Sequence, residues 1–357
     1  MNMNRIILCL ALAVMPFLSS AQKNCRIEGK VNPGSVGGYV YFVRGKQIAD
    51  STKVNKNAEF SINLKADNRL YTCAVKGERG GLPFVSEGGK VELNLRDKTC
   101  TGGELNKQVA LFNSATEEAW SGYEKKAADI KAKPIGDAEK EKEQEALYEE
   151  TVKSLQETAD EMISRLADSE IAGWILASLS YYYSMEDFFK RYDVLSDEAK
   201  NYPELQTAHR AFEALRNTSE GKMFTDFIIE NGGLKGEKVR FSDYVGKGKY
   251  TLVDFWATWC GPCKREIPNV RNIYKEFGDR ITVLSVAVWD KRASTEKFIE
   301  KNDMPWNHII DAQQIPTDIY GIQGIPQIML FAPDGTIVKR DLRGDEIRKV
   351  LEGLLEK

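Results

Sequence analysis

Residues 251–266 read Thr251-Leu-Val-Asp-Phe-Trp-Ala-Thr-Trp-Cys260-Gly-Pro-Cys263-Lys-Arg-Glu266. Residues 251–256 are a short apolar, β-rich run, the pattern of a strand buried on both faces. Cys260 and Cys263 then bracket Gly261 and Pro262, and the chain beyond Cys263 reads as a helix at least as far as Pro268. Two cysteines therefore stand at a strand-to-helix junction, the first near a helix N-terminus. Unpaired backbone N–H groups and the helix dipole stabilise a thiolate there.

A pair spaced in this way has three readings: a redox dithiol, half of a zinc site, or two buried inert cysteines. Structural zinc wants four ligands. The chain offers no second Cys-x-x-Cys and only two histidines, His209 and His308, in unrelated contexts, so no metal is expected. Inert cysteines would not need this setting after a strand. A Cys-x-x-Cys motif beside a βαβ pattern is the signal of a redox dithiol.

Residues 253–264 resemble the active-site segment of thioredoxins. The continuation Arg265-Glu266-Ile267-Pro268 is similar to the TlpA/ResA-like branch of extracytoplasmic thiol–disulfide oxidoreductases. The resemblance spans residues 221–357 and says little about the front of the chain. It implies that Gly261-Pro262 between the cysteines goes with a reducing dithiol, and that the redox centre is the Cys260–Cys263 pair itself, without a separate cofactor. Gly324-Ile325-Pro326 matches the family's loop in which the proline is cis and faces the cysteines. Ile325, where cytoplasmic thioredoxins carry threonine, would pair its backbone with a substrate chain like an added strand.

In this reading Cys260, partly exposed at the helix start, is the nucleophile and Cys263, one turn along and less exposed, resolves the mixed disulfide. Gly261 and Pro262 hold the turn, and Trp259 and Trp256 wall the site. Removing the proton of Cys263 needs a base, and two carboxylates are candidates. Asp254 lies inside the apolar strand, where desolvation raises a carboxyl pKa and suits it to proton transfer. Glu266 is three residues past Cys263 and on the same helix side.

Outward from this segment the pattern completes a C-terminal domain over residues 219–357. A lead-in hairpin (227–230 and 239–241) precedes strand 250–256 and helix 260–277, with a kink expected at Pro268. Strand 281–288, helix 294–301 capped by Ser294, short helix 315–320, strands 327–331 and 336–340, and helix 345–356 follow. This βαβ then ββα order is the thioredoxin arrangement. Residues 104–218 read as helices: 106–131, 138–167, 171–183 and 203–217. The second carries an apolar seam at Tyr148, Val152, Leu155, Ala159, Met162 and Leu166 that packs on the chain's own helices. Residues 22–103 read as short strands (26–31, 39–44, 59–64, 70–76, 91–95) separated by Gly, Asn and Asp clusters, a small antiparallel sandwich or barrel without a catalytic motif. The fold expected is multidomain: an N-terminal all-β sandwich-like domain, a central α-helical region and a C-terminal α/β thioredoxin fold.

The 357 residues include 50 basic and 53 acidic side chains, a net charge of -3, which gives no electrostatic case for nucleic acid. Residues 1–21, with Arg5, an apolar stretch over 6–18 and Ser19-Ser20-Ala21, read as a secretory signal peptide. No membrane span is expected after its removal, and the expected location is the periplasm or cell envelope, where disulfides persist. Of the cysteines beyond it, Cys25, Cys73 and Cys100 lie outside the motif; one disulfide with one free thiol, or three buried thiols, are both open, and Cys73 with Cys100 is the preferred pair. Expected partners are disulfide-containing exported proteins, cytochrome c maturation clients among them by resemblance, and a membrane thiol electron donor. Two other functions stand against this one. A thiol peroxidase would want a Pro-x-x-x-Thr-x-x-Cys setting that Cys260 lacks. A non-enzymatic partner-docking module would have no use for an intact cysteine pair.

Overall fold

The computed structural model describes residues 24–78 and 80–355; the signal peptide expected over residues 1–21 lies outside the described residues. The chain forms two compact units that divide between Leu155 and Gln156. The division falls inside the expected helical region. Among the described residues no helix is long and apolar enough to cross a membrane.

The first unit opens with eight strands: β1 (Asn24–Lys30), β2 (Tyr39–Arg44), β3 (Gln47–Lys53), β4 (Glu59–Lys65), β5 (Leu70–Val75), β6 (Leu82–Val85), β7 (Gly89–Asn94) and β8 (Thr99–Thr101). They pair as two four-stranded sheets, ordered β4-β1-β7-β8 and β3-β2-β5-β6. Alternate residues of both sheets, among them Ile27, Phe42, Phe60, Phe84, Val91 and Leu93, share one core. The pairing of β1 with β7 is parallel, so the region is not antiparallel throughout. Helix α1 (Glu104–Ala132) follows. Its first turn is capped from a distance: the Glu87 carboxylate accepts the N–H groups of Leu105 and Asn106.

The preferred Cys73–Cys100 pairing is corrected here. Cys25, Cys73 and Cys100 are all free and buried, and the Cys100 thiol donates to Asn106 Oδ1 at 3.2 Å. Burial pushes the Cys25 thiol up to about 11 and the Cys100 thiol to about 12, and that of Cys73 higher still. At neutral pH none of the three supplies a thiolate, so they pack as small apolar groups.

Helix α2 (Asp137–Arg165) contains the division point, and its expected seam is buried at Leu155, Ala159 and Met162. In the second unit α3 (Glu170–Ser178) stops five residues short of the expected end, and Ser180–Tyr182 form a separate 3-10 turn. The Ser178 and Ser180 hydroxyls bond back to the carbonyls of Trp174 and Ala177, a local alternative to continuing the helix. The sequence reading did not contain α4 (Met185–Asp193) or α5 (Asp197–Lys200); α6 (Pro203–Asn217) has the expected bounds.

After a two-stranded ladder, β9 (Ile228–Ile229) and β10 (Val239–Arg240), the chain builds a thioredoxin-like α/β sheet. Its members are β11 (Thr251–Trp256), β12 (Thr282–Ala287), β13 (Asn307–Ile309), β14 (Gln327–Phe331) and β15 (Ile337–Lys339), in the order β13-β12-β11-β14-β15. The first three are parallel; β14 and β15 join antiparallel. Helices α7 (Gly261–Phe277), α8 (Arg292–Lys301) and α9 (Ile315–Tyr320) lie between the strands in sequence, and α10 (Asp345–Leu355) follows the last of them. Lys291, not Ser294, is the N-cap of α8: the chain leaves β12 through a bonded turn that starts the helix earlier, and Ser294 falls inside it.

Every residue of β11 is buried, and its side chains alternate between two cores. Leu252 and Trp256 face one that also holds Cys260, Cys263, Ile267, Val270, Ile273 and Phe277 of the α7 side. Val253 and Phe255 face the other, with Tyr320 and Phe331. The α7 residues recur at spacings of three and four, and each fully buried one contributes roughly 1.5–3 kcal/mol. Asp254 shares the face of Leu252 and Trp256.

Candidate active site

The end of β11 delivers the chain to α7 in four residues. Cys260 is the N-cap of that helix, with extended backbone, and its Sγ accepts the N–H of Cys263 at 3.1 Å. The helix begins with Gly261 and Pro262; a proline there gives up no bond, since the first N–H groups of a helix have no internal partner. The two sulfurs are joined as a disulfide. Pro268 stands inside α7 and leaves the carbonyl of Lys264 without its usual donor.

Exposure departs from the expectation. Cys260 is 3% exposed and Cys263 1%, where a partly open Cys260 was foreseen. Cys260 lies under the Ile325–Pro326 segment: the Ile325 carbonyl oxygen is 3.6 Å from Sγ, and Ile325 packs on the same core as both cysteines. The Ile325–Pro326 peptide is cis. Trp259 projects outward, 59% exposed, held by its indole N–H donating to the Trp289 carbonyl at 3.0 Å. Trp256 is fully buried and packs on Phe298 of α8 with ring centroids 5.3 Å apart.

Asp254 is 2% exposed, and among the described residues its Oδ1 has no hydrogen-bond partner. Burial, helped by the charge of Glu266 and opposed by the Arg343 guanidinium, pushes its carboxyl up to about 7. Glu266 is half-buried and engaged: its Oε1 accepts the Gly344 N–H at 2.9 Å and the Asn269 amide at 2.7 Å. The structure therefore gathers Cys260, Cys263, Gly261, Pro262, Ile325 and Pro326 at one point, with Trp259 on the rim. Asp254 is on β11, the strand that leads to Cys260, and Glu266 stands three residues past Cys263 on α7.

Two groups at this place were not singled out from the sequence. Asp290, 8% exposed, accepts the Thr258 N–H at 2.6 Å through Oδ2 and the Lys291 N–H at 2.8 Å through Oδ1. It ties the turn after β12 to the residues that lead into Cys260. Trp289 next to it has φ 53°, a left-handed conformation for a non-glycine residue. Arg343 donates from Nη2 to the Pro326 carbonyl and from Nη1 to the Leu342 carbonyl, the latter at 2.7 Å. Nothing local in the sequence marks the bond of Asp290 to Thr258 or of Arg343 to Pro326, because each reaches backbone far along the chain.

Residues 221–340 match the AhpC/TSA family, and residues 25–109 match a domain of unknown function, DUF4369. The thiol-disulfide oxidoreductase ResA of Bacillus subtilis is 30% identical over 129 residues, 36% of this chain and 70% of that protein. ResA of Geobacillus kaustophilus is 33% identical over 137 residues, 38% of this chain and 76% of that protein. Among solved structures, the thioredoxin domain of a thiol-disulfide oxidoreductase from Bacteroides vulgatus is 33% identical, covers 38% of this chain and 97% of its own, and aligns with a TM-score of 0.35.

Proposed function

The chain belongs to the ResA family of thiol-disulfide oxidoreductases, and from that premise we propose that it is an exported reductase of protein disulfides acting through Cys260 and Cys263. The observation that carries the reading is Cys260 Sγ at the cap of α7, bonded to Cys263 and faced by the Ile325 carbonyl at 3.6 Å.

The cycle starts from the reduced dithiol. A Cys260 thiolate, stabilised by the Cys263 N–H and the helix dipole, attacks one sulfur of a client disulfide. A Cys260–client bond forms, the client disulfide breaks, and one client thiolate leaves. Cys263 then gives up its proton, with Asp254 as the acceptor and Glu266 beside it, and attacks Cys260 Sγ. The second client thiolate leaves and the Cys260–Cys263 disulfide results. Two electrons pass from the dithiol to the client, whose two thiolates take up protons. Re-reduction falls to a thiol donor at the membrane. Ile325, Pro326 and Trp259 supply the surface on which the client chain lies, its backbone pairing along the Ile325 edge.

In this reading residues 1–21 direct export to the periplasm or cell envelope, and cytochrome c maturation proteins are one class of client. Residues 22–103, read as sandwich-like, serve interaction or spacing.

Insulin disulfide reduction tests the proposal. The wild-type chain should reduce insulin with a thiol donor present, and Cys260→Ser should abolish this. Peroxide consumption without insulin reduction would transfer the assignment to a thiol peroxidase, and absence of both activities in the wild-type chain to a docking module. A Cys263→Ser variant should accumulate mixed disulfides with its clients and so identify them.

A further inference from the structure

The turn after β15 bonds to three parts of the dithiol's surroundings. Leu342 is fully buried in the α7 core, and its N–H donates to the Ile328 carbonyl at 3.1 Å. Gly344 binds α7 through both backbone groups: its N–H donates to Glu266 Oε1 at 2.9 Å, and its carbonyl accepts the Asn269 amide at 2.9 Å. Arg343 stands between them with an exposed side chain. Its guanidinium donates to the Leu342 carbonyl and across to the carbonyl of Pro326. One turn thus ties together the helix that carries Cys263, the strand β14, and the loop whose Ile325 carbonyl lies 3.6 Å from Cys260 Sγ.

We propose that Arg343 is a positioning residue for the dithiol: it holds the Ile325–Pro326 backbone against Cys260 and carries a positive charge on the turn whose Leu342 is bonded to Ile328, the residue in register with Asp254. The inference rests on the redox reading of Cys260 and Cys263.

The chemistry of the side chain supports both halves. A guanidinium is planar, always charged, and holds its donors in a fixed fork. Both of its acceptors here are neutral carbonyls, so neither cancels its charge. The groups around Asp254 make that charge matter. From α7 come Glu266, which pushes the carboxyl up, and the two cysteines, uncharged while joined. In register on β12 stands Ser285 and on β14 Ile328. One strand further, His308 is held towards its neutral form by burial. Helix α8 contributes Phe298, and α10 carries Asp345 and Glu346 in its first turn, both exposed. Among these groups Arg343 is the cation, and it opposes Glu266 and burial at Asp254.

The test is insulin reduction by the full chain across neutral pH, comparing wild type, Arg343→Gln and Arg343→Lys. Arg343→Gln should move the midpoint of the kcat/KM profile upward by about half a pH unit or more and raise KM for insulin about threefold or more. Arg343→Lys, which keeps the charge, should return the midpoint to the wild-type value. The pH dependence of Cys260 alkylation in the reduced protein needs no turnover and should shift in the same direction. An unmoved midpoint in Arg343→Gln overturns the proposal, as does an Arg343→Lys profile displaced as far as that of Arg343→Gln. Insulin reduction that survives Cys260→Ser would instead overturn the dithiol reading, so the two failures are distinguishable.

Discussion

Asp254 sits where folding disfavours its charge. Its ordinary value is 3.8 and its folded value about 7. A carboxyl raised in this way adds stability that is fully present below its unfolded pKa and is lost as pH rises through the folded one. The window therefore runs from about pH 4 to about pH 7, and the whole effect is on the order of 4 kcal/mol. Asp254→Asn should be no more stable than wild type at pH 4 and more stable above pH 7, with urea unfolding at the two pH values as the readout. In the proposed mechanism the same substitution removes the proton acceptor. Turnover at neutral pH should fall by roughly 10²-fold and lose its rise through pH 7. A variant with an unchanged pH–rate profile would take Asp254 out of the mechanism. Asp290 acts differently, through backbone alone. Asp290→Ala leaves the N–H groups of Thr258 and Lys291 without their acceptor, a loss of about 1–3 kcal/mol for each that stays buried. Urea unfolding should show it, and a change below about 0.5 kcal/mol would mean that the brace contributes nothing.

Short elements set where the site's loops stand, and α9 is the clearest case. It ends at Gly321, with φ 63°, four residues before Ile325. A Cβ on Gly321 would lie 2.5 Å from the Ala211 carbonyl and 2.7 Å from the Leu215 nitrogen of α6. Gly321→Ala therefore meets both left-handed strain and a backbone clash, together roughly 2–4 kcal/mol, measurable as a lower urea midpoint. A variant as stable as wild type would show that α6 and α9 separate freely. The bounds of α6, α9 and β14 were legible because proline, apolar periodicity and flanking turn residues mark them. By contrast β3 was not: six of its seven residues are exposed, so it lacks the alternation that betrays a strand. β13 is three residues long, too short for any period, and takes its structure from pairing with β12. The segment that forms α4 did carry a start signal, Ser184 accepting the Asp187 N–H, but three tyrosines and an apolar run before it read as one longer helix. At the site, the cysteine spacing and the Ile325–Pro326 pair could be read locally and by resemblance. Arg343 and Asp290 could not, since the partners that tie them to the site, Pro326 and Thr258, lie 17 and 32 residues away. The thiols at Cys25, Cys73 and Cys100 were equally undetermined, because pairing depends on strand packing that composition does not encode.

The division of the chain between Leu155 and Gln156 makes the later helices part of the oxidoreductase unit, and Arg340 gives that grouping an energetic basis. This residue is 8% exposed. Its Nη1 donates to the Thr218 carbonyl and its Nη2 to the Tyr320 carbonyl, both at 2.8 Å. Thr218 caps α6 and Tyr320 is the last residue of α9, so one guanidinium serves the negative ends of two helix dipoles. A fragment of residues 219–357 would match the boundary read from the element pattern, yet it deletes α6 and strips Thr218 from Arg340. A buried charged donor that loses its acceptor costs about 1–3 kcal/mol or more, and the α6 contacts at Gly321 are lost with it. A fragment of residues 156–357 keeps both. The longer fragment should therefore unfold at a clearly higher urea concentration than the shorter one, while Arg340→Met should narrow the gap by weakening the longer fragment more. Equal midpoints for the two fragments would mean that the helices before residue 219 are carried along without supporting the sheet that presents Cys260.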